Sequence, residues 1–241
     1  MSVPTVKFRD VLVSIARRCS QYANGAIEDA ISADLVDLFN SAMKYAWEFY
    51  PWPEANVLTE ETILAHPDAS AARYVPRSNE TRTLATVHEV WSSDPRVMTT
   101  AASRVSHRKE ADGLYFADVS LSSVWVRYRP SPPRYTDQVY SASATYGTGD
   151  LALASDGHVY KSLEDANTGN DPAGDEAEEW QQVPVLERLA EPVKQGVISH
   201  FKRYQSGLPV TAKNFDELML DNLEHEILLL QNQEGQTLSH M

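Results

Sequence analysis

The sequence predicts an α+β fold: a helical bundle built from N- and C-terminal helices, a central antiparallel β region, and a small three-stranded β module inserted before the C-terminal helices. Three observations predict it. Apolar residues recur at three- and four-residue spacing towards both ends of the chain, β-branched and aromatic runs fill the middle, and turns containing Pro or Gly separate the runs. The 241 residues are 42% hydrophobic and 23% charged, which suits a folded chain with a sizeable core.

The first element is a helix with Phe8, Val11, Leu12, Ile15, Cys19 and Tyr22 on one face and Asn24-Gly25 as its stop. A second helix starts near Ser32, a candidate N-cap, and sets Leu35, Leu38, Phe39, Ala42, Ala46 and Phe49 along one side. Tyr50-Pro51-Trp52-Pro53 ends it, because each proline disfavours helical geometry in the residue before it. From about 54 to 136 the period changes. Residues 83–91 are rich in β-branched and aromatic side chains, although neither face of the alternation is cleanly polar. Asp94-Pro95 and Asp112-Gly113 read as turns, and residues 114–117 and 123–128 as strands. The last of these places Val124, Val126 and Tyr128 on one face and Trp125 and Arg127 on the other. Pro130, Pro132 and Pro133 close the region.

Residues 137–183 carry strand-sized pieces at 151–154 and 158–162, joined by the hairpin signal Asp156-Gly157. After Pro184 the helical period returns over 185–204, with Pro192 marking a kink or a fresh start and Gly207-Leu208-Pro209 a stop. The final helix begins near Thr211 and aligns Phe215, Leu218, Met219, Leu223, Ile227 and Leu230, before a polar tail from Gln233. Neither pair of terminal helices buries its apolar stripe alone, so the pairs pack on each other. Residues 1–136 and 184–241 then form one core, and 137–183 a small domain of its own. Trp47, Trp52 and Trp91 serve either an interface or that core.

Of the formal charge of −13, the segment 137–180 carries −9, with ten acidic residues against Lys161 alone. That balance disfavours a general phosphate-binding surface, although DNA can slide past an acidic lining without sticking. The single Cys19 makes no intrachain disulfide and reads as a packed, reduced thiol. The N-terminal residues lack the apolar stretch of a signal peptide, and no run approaches the ~20 apolar residues of a membrane span. Cytosol-like solution is the expected setting.

No catalytic constellation emerges, and neither a metal nor a cofactor is expected. None of the seven histidines has the HExxH or HxH spacing that brings two imidazoles to one metal. Asp221 and His225 share a helix face, which reads as a local ion pair before half a metal site. Tyr146-Gly147-Thr148-Gly149-Asp150 follows no buried strand and opens no helix, as a phosphate loop must. The acidic string 171–179 lacks the alternating ligands and central Gly of a calcium loop.

Two stretches resemble known families. Ala46-Trp47-Glu48, Trp52-Pro53-Glu54, residues 90–96 (VWSSDPR), residues 124–130 (VWVRYRP), residues 184–187 (PVLE) and the long last helix resemble the head–tail adaptors of tailed bacteriophages. That resemblance implies a structural virion protein of the neck and not an enzyme, assembled in the host cytoplasm. It implies a self-associating ring, commonly dodecameric, that joins the portal protein to a downstream neck or tail protein. DNA passes through the ring without specific binding, and no membrane is involved. The apolar face of the last helix, Phe215 to Leu230, would meet neighbouring copies or the portal. The second stretch, Tyr146, Gly149-Asp150, Gly157, Tyr160-Lys161, Asn167, Gly169-Asn170-Asp171-Pro172 and Trp180, resembles carbohydrate-binding modules of families five and twelve. It implies a compact three-stranded sheet, and Tyr146, Tyr160 and Trp180 as glycan contacts, the alternative function being recognition of host-surface glycan. The aromatic pair that follows Tyr-Lys in that family reads Ser162-Leu163-Glu164-Asp165 here.

Overall fold

The computed structural model describes residues 3–23, 25–78, 83–97, 102–118, 120–174, 178–205 and 217–238, and it is an α+β protein. The chain forms two compact units, one from residues 1–50 and 132–241 and the other from Pro51–Ser131. The prolines at 51 and 132 thus mark boundaries, but the β region separates from the helices it was expected to join. Residues 137–183, expected as a domain apart, belong to the helical unit.

In the helical unit, β1 (Thr5–Val6) leads into α1 (Phe8–Arg18), which buries Phe8, Val11, Leu12, Ile15 and Ala16 at the expected spacing. The helix stops before Asn24-Gly25. Ser20 turns the chain with φ of 59°, and Gly25, with φ of 83°, sits in the turn of a short hairpin of β2 (Tyr22–Ala23) and β3 (Ala26–Ile27). Next comes α2 (Asp29–Phe49), which begins before the expected Ser32. Ser32 lies inside the first turns, its N–H bonded to the Glu28 carbonyl at 2.8 Å.

The second unit holds β4 (Val57–Thr62), β5 (Leu64–His66), β6 (Ala69–Pro76), β7 (Thr86–Trp91), β8 (His107–Lys109), β9 (Gly113–Phe116) and β10 (Ser123–Arg129). They form two antiparallel sheets, in the orders β4-β10-β7 and β5-β6-β9-β8. Val75, Leu114 and Phe116 of one sheet and Val87, Val90, Val124, Val126 and Tyr128 of the other fill a common core. The alternation of β10 is as expected. That of β7 is not, because the register against β10 slips between Arg127 and Tyr128, so that His88 is skipped. The bulge turns both Val87 and Val90, three residues apart, into the core. Gly113 opens β9 where a Cβ would stand 2.3 Å from the Val75 carbonyl oxygen, so only glycine admits the neighbouring backbone.

Back in the first unit, β12 (Leu151–Leu153), β13 (Val159–Ser162) and β15 (Trp180–Val183) make the expected three-stranded sheet, with β11 (Thr145–Tyr146) paired to β14 (Asn167–Thr168) beside it. Then β16 (Val185–Leu186) pairs with β1, tying the start of the chain to the last two helices. These are α3 (Glu187–Gln205), which runs through Pro192 without a break, and α4 (Glu217–Leu238), which continues past the expected tail at Gln233. α3 packs against α1, α2 and α4, so the terminal helix pairs share one core as expected. At Gly196 a Cβ would lie 2.5 Å from the Met219 sulfur, which shows how closely α3 and α4 approach.

Candidate functional site

The final helix divides its apolar residues between two faces. Met219 and Leu223 are fully buried and Leu230 nearly so, whereas Leu218, Leu228 and Leu229 are 50%, 57% and 40% exposed. Ile227 is half-buried, and Phe215 lies outside the described residues. Met219, Leu223 and Leu230 were expected at an interface with other chains. Within this chain Met219 meets α3 at Gly196, and Leu223 and Leu230 are buried on the same side of α4. An ion pair fixes the same contact: Arg188 Nη1 lies 3.0 Å from Glu226 Oε2, and both side chains are mostly buried.

What α4 leaves outward is a second stripe of Leu218, Leu228 and Leu229, with Asp221 and His225 among them. Tyr204 near the end of α3 is 72% exposed. Of the outward leucines, only Leu218 had been singled out. The run Ile227-Leu228-Leu229-Leu230 carried the signal for the others, since four successive residues sweep through most of a helical turn and cannot all face inward.

The three aromatic residues expected to contact glycan do not form a platform. Tyr146 and Trp180 are 4% and 6% exposed and pack edge to face at 5.1 Å, with Tyr140 against both. The Trp180 indole N–H donates to the Asn170 carbonyl at 2.9 Å, and the Tyr146 hydroxyl accepts from the Ser141 N–H. Tyr160 is half-buried and donates to Asp156 Oδ2, and burial with that bond pushes its phenol up to about 12. In so small a sheet Tyr146 and Trp180 are consumed in building the core, and Tyr160 packs against it. Beyond Tyr160-Lys161, Ser162 is fully buried and bonded to Asn167 and to the Glu164 carbonyl.

Trp47, Trp52 and Trp91 are 6%, 0% and 7% exposed, which makes them core residues. Burial raises the Cys19 thiol above its ordinary range, so this cysteine is not an activated nucleophile. Among the described residues, no three His, Cys, Asp or Glu side chains gather as a metal would need, and no helix is long and apolar enough to cross a membrane. No known family model matches the chain, and no curated protein resembles it closely enough to count as a relative.

Proposed function

We propose that the chain is a structural component of the neck of a tailed bacteriophage: a ring-forming adaptor that joins portal to tail around the DNA channel. In this reading it acts without catalysis, in the virion, after assembly in the host cytoplasm. The observation that supports it most is the outward stripe Leu218, Leu228 and Leu229 on α4, a helix whose other side is already committed to α3. Exposed leucines on a terminal helix cost solubility unless another surface covers them, and in a ring each copy offers one patch to a different patch on the next. The segments 46–54, 90–96, 124–130 and 184–187 support the same reading through their resemblance to adaptors.

Native mass spectrometry of the full chain, alone and with the portal protein of the same phage, tests it. The expected result is a discrete closed oligomer or a portal-bound complex. The double substitution Leu228→Glu with Leu229→Glu should weaken that association at least tenfold, about 1.4 kcal/mol or more, while leaving the circular dichroism melt unchanged. A chain that stays monomeric at every concentration and ignores the portal overturns the proposal.

A further inference from the structure

The outer face of the sheet β5-β6-β9-β8 carries a row that the core does not require. Register places Leu64 beside Tyr74, Tyr74 beside Tyr115, and Tyr115 beside Arg108, one residue from each strand. Their neighbours Val75, Leu114 and Phe116 point the other way, into the core. Leu64 is 45% exposed, the two tyrosines are half-buried, and the Arg108 side chain is 74% exposed. His66 joins the end of the row, its ring centroid 4.8 Å from that of Tyr74 and 5.7 Å from that of Tyr115.

The row is held rigid by hydrogen bonds. Asp112 Oδ2 accepts from the Tyr115 hydroxyl at 2.5 Å and pairs with His66 Nε2 at 3.0 Å. His66 Nδ1 accepts the Asp68 N–H at 3.1 Å, which leaves the proton on Nε2 and makes the neutral ring a donor to Asp112. The Asp112 bond is the first cause that pushes the Tyr115 phenol up to about 12, so the ring stays uncharged at any ordinary pH. Arg108 lies over Tyr115 with its guanidinium carbon 5.6 Å from the ring centroid, and it pairs with Glu110. Tyr74 is left as the central ring, with Leu64 and His66 of β5 on one side, Tyr115 of β9 on the other, and half-exposed Asp112 and Glu110 carboxylates at the rim.

We propose that this face binds a neutral oligosaccharide, with a pyranose stacked on Tyr74 and its hydroxyls bonded at the rim by Asp112 and Arg108. The positively polarised C–H face of a pyranose suits the negative face of an aromatic ring, and planar carboxylate and guanidinium groups suit vicinal hydroxyls. A rigid platform loses little conformational freedom on binding. The rim carboxylates and the chain's charge of −13 oppose a polyanion, which sets nucleic acid aside even though bases also stack on such rings. An organic cation is disfavoured as well, because it would meet the Arg108 guanidinium that already lies over Tyr115 beside Tyr74. The site is independent of the neck proposal and lies outside the carbohydrate-module resemblance.

Isothermal titration of the full chain with cellohexaose, chitohexaose and maltohexaose, and with a single-stranded thymidine oligomer, tests it. At least one hexaose should bind, Tyr74→Ala should weaken it at least tenfold, and Tyr74→Phe should restore it. A melt of each variant separates loss of the ring from loss of the fold, and Arg108→Gln, on an exposed edge, should weaken binding severalfold in a folded protein. Binding to none of the three sugars, sugar binding undiminished in both Tyr74→Ala and Arg108→Gln, or binding to the oligonucleotide alone each overturns the proposal.

Discussion

Tyr135 gathers three separate stretches of the helical unit. Its ring stacks on Phe8 at 5.1 Å and meets Phe39 edge to face at the same distance. The Asn40 side chain donates to its carbonyl at 3.0 Å and accepts its N–H at 2.8 Å, satisfying both backbone groups of a buried residue. Its hydroxyl donates to the Pro184 carbonyl at 2.8 Å, and burial drives the phenol far above its ordinary range, so it remains a donor. Tyr135 and Pro184 flank residues 137–183, and the bond between them brings the two ends of that insertion together. Tyr135→Phe should keep the aromatic packing but leave the Pro184 carbonyl without this donor. A loss of about 1–3 kcal/mol is expected in urea denaturation of the full chain followed by circular dichroism. An unchanged midpoint would show that water replaces the hydroxyl. In the sequence, Tyr135 was only a residue after prolines, since Asn40 lies 95 positions away and Pro184 49.

At the scale of elements, α1 starts without a side-chain cap. Lys7 occupies the N-cap position and makes no capping bond, so the first N–H groups need partners from elsewhere. Gly157 supplies one: its carbonyl accepts the Arg9 N–H at 3.0 Å. The β12–β13 hairpin is therefore pinned to α1, and the insertion does not hang free of the helices. Gly157 has φ of 88°, and a Cβ there would stand 3.3 Å from the Arg9 Cβ. Gly157→Ala should cost about 1–2 kcal/mol from the left-handed backbone alone, and more if the hairpin lifts. The thermal melt measures the cost, and faster hydrogen exchange at the Arg9 amide locates it. Local signals made this hairpin legible, as they did α1, α2 and the alternating faces of β10. They failed where a partner strand or helix decides the outcome. The mixed faces of β7 needed the bulge at His88, visible only against β10. Met219 and Leu223 had a legible apolar face, but only α3 shows that the face is already occupied.

For the whole molecule, the prolines near 51 and 132 were legible as breaks, yet which pieces cohere depends on contacts between segments far apart in sequence. Residues 1–50 and 132–241 share the core around α3, while residues 51–131 close on themselves. The closure has a simple geometric basis. The first and last strands of that unit, β4 and β10, pair antiparallel from Val57 opposite Tyr128 to Thr62 opposite Ser123, so the chain leaves the unit beside the point where it came in. Its core of Val75, Val90, Val124 and Val126, all buried to 2% exposure or less, is drawn from its own two sheets. A segment whose ends meet and whose core is its own has the anatomy of an inserted domain, which can be removed without stretching the host. Residues 51–131 produced alone should then give a dispersed amide NMR spectrum and a cooperative urea transition. The complementary chain, with Tyr50 joined to Pro132 through a short Gly-Ser linker, should keep the helical circular dichroism of α1 to α4. A collapsed spectrum from the isolated segment, together with loss of helix from its complement, would show that each unit needs the other in order to fold.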